Sequence, residues 1–260
     1  MNILRAHDVS IAFGGVKALN EVGFDAIPGE VLAIIGPNGA GKTTLFNVVS
    51  GLYRPSSGHV ELNGRDINGL PPHRLAGMGL SRTFQNLQVF TEMSLLDNVL
   101  VGRHLQERHS FLGDLLRLPS VARQYDASKS RAAELVRRVG LEAQTSAMAG
   151  TLPYGALRRL EIARALATEP KVLMLDEPAA GCNPAETREL GALIRSLADD
   201  GRAVVLVEHD MRLVMSISDR IVVLDRGRVI AKGAPADIRS NAAVIEAYLG
   251  RLGAEEAARA

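Results

Sequence analysis

Hydrophobic residues along this chain follow two different periods. Between residues 3 and 35, short alternating or apolar runs are cut by Gly14-Gly15 and Pro28-Gly29. That pattern predicts strands joined by tight turns. Another strand is expected over 58–62, before the turn Asn63-Gly64, and Pro71-Pro72 should open a short helix. From about 86 to 167 the period changes to that of a helix, with Ala132, Leu135, Val136 and Val139 on one face. After Lys171 two unbroken apolar runs appear, 172–175 and 204–207. Such runs suit parallel strands covered on both faces. Helical segments near 185–199 and 210–217 alternate with them, which implies βαβ crossovers. Runs at 221–224 and 228–231 flank Asp225-Arg226-Gly227 as a hairpin, and a last helix is expected over 242–249. The whole reads as an α/β frame with a helical insertion.

Composition narrows the function classes. At 260 residues and 47% hydrophobic, the chain has enough apolar surface for a sizeable core. A net charge of +1 argues against a dedicated nucleic-acid surface. The single cysteine, Cys182, excludes an internal disulfide, fits a reducing compartment and is expected to pack as a small core residue. The first ten residues do not resemble a signal peptide, and no run approaches the roughly 20 apolar residues of a transmembrane helix. A protein soluble by itself is expected.

One motif carries most of the chemistry. Gly36-Pro37-Asn38-Gly39-Ala40-Gly41-Lys42-Thr43 matches the phosphate-binding loop G-x-x-x-x-G-K-[ST] without a mismatch. The apolar run from Val31 enters it, and a helix beginning at Thr44 leaves it. Glycines let backbone N–H groups turn inward on phosphate oxygens, and the helix N-terminus adds positive potential. Lys42 can bridge β- and γ-phosphates and the Thr43 hydroxyl can hold Mg²⁺. A second motif is the apolar strand that ends in Asp176-Glu177-Pro178. Beside a phosphate loop, Asp176 would hold Mg²⁺ and Glu177 would polarise the attacking water.

With both motifs in place, the chain resembles the ATP-binding-cassette (ABC) ATPases along almost its whole length. Within that family it is most similar to the subunits that energise branched-chain amino-acid importers. The resemblance rests on Phe13-Gly14-Gly15-Val16-Lys17-Ala18-Leu19, Arg82-Thr83-Phe84-Gln85, Leu152-Pro153-Tyr154-Gly155, the helix from Arg158 to Leu166, Pro178-Ala179-Ala180-Gly181, Glu208-His209-Asp210 and the closing Val244-Ile245-Glu246-Ala247-Tyr248-Leu249-Gly250. It implies one nucleotide-binding domain over 1–250: a P-loop NTPase core with a parallel sheet and an N-terminal antiparallel β subdomain (1–85 and 168–250), interrupted by a helical subdomain (86–167). Residues 251–260 would form a tail.

The resemblance also assigns roles. Phe13 would stack on adenine, a contact that needs only a flat ring; the alternative is an ordinary strand-core Phe. Residues 36–43 with Thr44 would cradle the phosphates. Gln85 would touch Mg²⁺ or the attacking water, and His209 would contact the γ-phosphate. The other five histidines match no motif and are expected to be solvated. The implied activity is ATP hydrolysis with Mg²⁺, in a head-to-tail dimer with a second ATPase subunit, identical or different. The dimer would be docked on integral membrane permeases at the cytoplasmic face of the inner membrane and served indirectly by a solute-binding protein. Leu87, Val89, Phe90 and Met93 would line a groove for a permease helix or else form subdomain core.

The signature motif departs from the family. Leu-Ser-Gly-Gly-Gln is usual, and here the chain reads Leu152-Pro153-Tyr154-Gly155-Ala156. Pro153 offers neither hydroxyl nor N–H, and Ala156 lacks an amide. Gly155 and the helix N-terminus would still bind the γ-phosphate of the opposite subunit. Each missing charge-assisted bond would weaken that grip by about 1.5–3 kcal/mol. An ATP-gated clamp with little hydrolysis is the alternative, and Glu177 with His209 argues against it. In the helix beyond, Arg158, Glu161 and Arg164 are three apart and are expected to pair along an exposed face, with Leu157, Leu160 and Ala163 inward.

Overall fold

A computed structural model describes residues 2–107 and 119–248. The expected last helix runs over 242–248; Leu249, Gly250 and the expected tail 251–260 lie outside the described residues.

Two sheets organise the chain. The first is antiparallel, in the order β2-β1-β4-β5, from β1 (Leu4–Phe13), β2 (Val16–Ala26), β4 (Ser57–Leu62) and β5 (Arg65–Asp66). The second runs β10-β9-β3-β8-β7-β6, from β10 (Arg228–Gly233), β9 (Arg220–Asp225), β3 (Val31–Ile35), β8 (Ala203–Val207), β7 (Val172–Asp176) and β6 (Leu80–Arg82). All its neighbours pair in parallel except the β9–β10 hairpin. Strands β3, β7 and β8 are fully buried, which explains their unbroken apolar runs. One set of core residues, Leu32 and Ile34 among them, faces the antiparallel sheet. A second contains Val31 and packs against the helices.

Parallel pairing has one consequence that matters for function. The C-terminal ends of β3, β8, β7 and β6 lie along a single edge, where ligands of α/β sheets bind. Each continues into a segment that carries candidate chemistry: the phosphate loop, His209, Glu177 and Gln85.

The helices are α1 (Lys42–Val49), α2 (Pro72–Gly77), α3 (Leu95–Arg103), α4 (Pro119–Arg138), α5 (Tyr154–Leu166), α6 (Pro184–Asp199), α7 (Met211–Ile217) and α8 (Pro235–Arg239). Ala132, Leu135, Val136 and Val139 are buried, as their spacing predicts. Residues 86–94 are not helical. They form a loop held at Asn98, which accepts from the Phe90 N–H and donates to the Phe90 carbonyl oxygen.

The charged row on α5 is not on a solvent face. Arg158 and Glu161 are only 3% and 4% exposed. Arg158 Nη2 donates to the Gln85 carbonyl (2.9 Å) and to the Tyr154 hydroxyl (2.8 Å). Its Nη1 faces Glu161 at 3.3 Å and the Phe84 carbonyl at 3.4 Å. Glu161 in turn accepts from the Phe84 N–H at 3.4 Å. The polar residues are inside because they satisfy the backbone of a loop that no strand pairs with. Leu160 and Ala163 are buried as expected, whereas Leu157 is only half-buried. Ala156 is core rather than surface, so a glutamine there would overpack.

This brace makes an asymmetric prediction. Burial pushes the Glu161 carboxyl up, against the pull of Arg158. Arg158→Met strands that carboxylate and is expected to cost about 3–5 kcal/mol. Glu161→Gln leaves Arg158 three neutral oxygens and is expected to cost about 1 kcal/mol. A carboxyl with a raised folded pKa makes the native state the better proton binder. Its contribution therefore falls as pH rises past the ordinary Glu range, and Glu161→Gln should gain on wild type in that direction. Urea unfolding across pH checks both; equal costs for the two variants would contradict the brace.

Candidate active site

The phosphate loop is built by three glycines with left-handed φ: Gly36 (153°), Gly39 (77°) and Gly41 (103°). Two are also sterically required. A Cβ on Gly36 would lie 2.1 Å from the Leu224 carbonyl, and one on Gly41 would lie 2.8 Å from the Ala18 carbonyl. The loop is thus packed against β9 and β2, while Gly39 faces open space. Lys42 is buried, and its Nζ donates to the Gly36 carbonyl at 2.6 Å and the Pro37 carbonyl at 3.1 Å. These carbonyls pre-position the ammonium at the mouth of α1.

A cavity of about 570 Å³ opens over this loop. Asn38, Gly39, Ala40, Gly41, Lys42, Thr43 and Thr44 line it, joined by Gln85, Glu177 and His209 from the neighbouring strand ends. Glu177 links the other two. Its Oε2 accepts from Gln85 Nε2 at 3.0 Å, and its Oε1 lies 2.8 Å from His209 Nε2. The Glu177 backbone is left-handed (φ 49°), an arrangement that costs about 1–3 kcal/mol. Its N–H donates to the Val207 carbonyl and its carbonyl accepts from Ala180, which holds the bend.

Asp176 does not line the cavity. It is buried behind it, where its Oδ2 accepts from Arg82 Nη2 at 2.6 Å. Arg82 also reaches Asn47 and Ser50 of the α1 end and lies between the Phe46 and Phe84 rings, 5.4 and 5.0 Å from their centroids. A metal held by Thr43 and Gln85 would meet Asp176 through water or after a shift of Arg82. Phe13 is 47% exposed and meets the Tyr53 ring edge-on at 5.3 Å, so it is not strand core. Its hairpin partner Val16 lines the cavity, as does Lys17.

The Leu152-Pro153-Tyr154-Gly155-Ala156 segment is absent from the lining of the cavity. Pro153 caps α5 without a side-chain bond. Gly155 is buried against its own chain: a Cβ there would lie 2.5 Å from Glu186 Oε1. Tyr154 packs on Gly181 of the loop after β7. Asn183 and Glu186 form the capping box of α6. Cys182 is half-exposed rather than core, and burial pushes its thiol up, away from a reactive thiolate.

Glu208 is a positioning residue that the motif match alone left without a role. Its buried carboxylate accepts from Ala179 N–H (2.7 Å), His209 N–H (2.8 Å) and Asp210 N–H (3.2 Å). It ties the loop after β7 to the His209 turn. Its signal was a carboxylate ending a buried strand. Arg82, Arg158 and Glu161 gave no comparable local signal. Of the other histidines, His73 and His104 are exposed, whereas His7 and His59 stack on one another, half-buried; His109 lies outside the described residues.

The chain is similar to known proteins over nearly its whole length. Residues 19–180 match the family model described as ABC transporter, and 228–253 match that described as Branched-chain amino acid ATP-binding cassette transporter. The chain is 45% identical over 249 residues to the high-affinity branched-chain amino acid transport ATP-binding protein LivG of Escherichia coli strain K12, covering 95% of this chain and 98% of the relative. Identity to the corresponding BraF protein of Pseudomonas aeruginosa is 47%, with the same coverage. The crystal structure of the ADP conformation of MJ1267, an ATP-binding cassette of an ABC transporter, superposes with a TM-score of 0.84 at 32% identity over 96% of this chain and 99% of that one. Phosphate loop, strand-end carboxylates and chain-length similarity agree: this protein is an ATP-binding cassette of the ABC transporter family.

Proposed function

We propose that this chain hydrolyses ATP to drive import of branched-chain or related amino acids. The observation that carries the chemistry is Glu177, held between Gln85 and His209 at the edge of the phosphate-loop cavity. The similarity to LivG and BraF supports the solute class.

ATP phosphates would take the N–H groups of residues 36–43 and draw Lys42 from its loop carbonyls onto the β- and γ-phosphates. Mg²⁺, held by Thr43 and Gln85 with Asp176 behind them, would neutralise charge on the phosphates. Glu177 would take a proton from the attacking water. His209, whose Nε2 lies 2.8 Å from Glu177 Oε1, would orient that carboxylate, and Gln85 would do so from the other side, keeping its amide oxygen for the metal or the water. Phe13 at the cavity mouth would stack on adenine.

The site is half of a composite one. This chain's signature segment does not reach its own cavity, so a second cassette, identical or different, would close the γ-phosphate with its own, and Gly155 would serve the opposite site. Glu186 lies beside Gly155 at that face. The membrane partner would dock beside Gln85. Phe90 and Met93 are exposed there, at 46% and 40%, while Val89 packs on the core. An adjacent cavity of about 270 Å³, lined by Leu52, Phe84 and Val101 among others, could take an apolar helix end. Permease subunits, a solute-binding protein and a peripheral position on the cytoplasmic face of the inner membrane follow from this reading.

Three outcomes are expected. Glu177→Gln should lower ATPase turnover of the assembled transporter by about 10²–10⁴-fold while ATP affinity is kept; an unchanged rate would favour a non-hydrolysing clamp. Pro153→Ser, at an exposed cap, should raise turnover several-fold in steady-state assays; no gain would mean that the partner's signature suffices. Phe90→Asp should abolish co-purification with the permeases and leave nucleotide binding intact, and a complex that survives would exclude this docking face.

A further inference from the structure

A cluster unrelated to nucleotide chemistry lies on the outer face of the antiparallel sheet. His7 of β1 is the direct cross-strand partner of His59 of β4. Glu61 lies two residues further along β4, on the same face. The two imidazoles stack with centroids 4.6 Å apart and planes 17° from parallel. Both point Nε2 at one carboxylate: His7 Nε2 is 3.6 Å from Glu61 Oε2, and His59 Nε2 is 3.4 Å from Glu61 Oε1. One ligand atom from each of the three residues lies within 4.8 Å of the others.

These separations are long for hydrogen bonds and fit something else. Zinc takes imidazole nitrogen and carboxylate oxygen at about 2.0–2.2 Å, so adjacent ligands of a tetrahedral site lie about 3.3–3.5 Å apart. His7 Nε2 is also buried without a hydrogen-bond partner, an ordinary cost unless something accepts its lone pair. Arg5 sits opposite Glu61 in register but forms no ion pair with it among the described residues, so the carboxylate is left to the two rings. On the other side, Asp66 of β5 pairs in register with Glu61 and adds negative potential to the face.

We propose that His7, His59 and Glu61 form a binding site for a divalent transition metal of the zinc class, completed by water. Two neutral imidazoles and a carboxylate suit zinc over magnesium or calcium, which favour oxygen. The strands place the three ligands side by side, and the stacked rings would turn about their side-chain torsions to aim both Nε2 atoms at one ion. A bound ion would staple β1 to β4, in the sheet that presents Phe13. All three side chains remain partly exposed, which leaves the ion a route in.

Zinc alone, added to the untagged, chelator-treated full chain in magnesium-free buffer, tests this by calorimetry and thermal unfolding. One ion per chain at micromolar affinity is expected, with an unfolding midpoint raised by a few degrees. His59→Asn and Glu61→Gln, both at partly exposed positions, should each weaken binding by about tenfold or more while the circular dichroism is unchanged. His209→Asn, at the other histidine–carboxylate pair, should leave it intact. Absence of binding at about 100 µM zinc, binding that survives His59→Asn, or binding lost only with His209→Asn would each overturn the proposal.

Discussion

The Glu177 carboxylate holds together what the parallel sheet brings near. Three segments that are far apart in sequence end at one edge of the sheet, and each has its own backbone constraints. Glu177 meets Gln85 with one oxygen and His209 with the other. Its own backbone is forced into a left-handed bend to do so. Behind it, Glu208 holds the His209 turn through two backbone N–H groups and the loop after β7 through that of Ala179, and Arg82 fixes Asp176. The phosphate loop is rigid on its own terms, because Gly36 and Gly41 are packed too closely to admit a side chain. Catalytic geometry therefore depends on how the Gln85 loop is held against the rest.

Among the described residues that loop pairs with no strand beyond Thr83, although Thr91, Met93 and Ser94 meet the backbone of residues 148–150. Arg158 and Glu161 hold it from the signature helix, and Tyr154 of the same helix touches Gly181. A movement of α5 is thus felt at two places around the Glu177 carboxylate. On the proposed reading, this is a physical route by which a second subunit gripping the start of α5, or a membrane partner pressing on residues 86–94, would change the arrangement about the attacking water. The route is a chain of buried hydrogen bonds, not a matter of distance alone.

The sequence was most informative where a function is local and contiguous. Phosphate binding needs a fixed run of eight residues, and the buried strands need unbroken apolar stretches, so both could be read from the chain directly. The hairpin at Asp225-Arg226-Gly227 was legible for the same reason. Arg158 and Glu161 were not, because charges three apart on a helix look alike whether they face water or a loop of unpaired carbonyls. Cys182 was misjudged because an apolar neighbourhood in sequence does not guarantee burial. His7 and His59 meet only through the antiparallel register of β1 and β4, which no local pattern encodes. The trade between Arg82 and Asp176 is likewise a contact between adjacent strand ends, invisible until the order of the sheet is known.

The central claim is that Glu177 directs water onto a γ-phosphate enclosed by two cassettes. It is tested most directly by identifying the nucleotide retained by the assembled transporter after incubation with ATP and Mg²⁺ and rapid removal of free nucleotide. Wild type should retain ADP or nothing, and Glu177→Gln should retain intact ATP at the interface of the two ATPase subunits. Equal retention of ADP by both proteins would contradict the account.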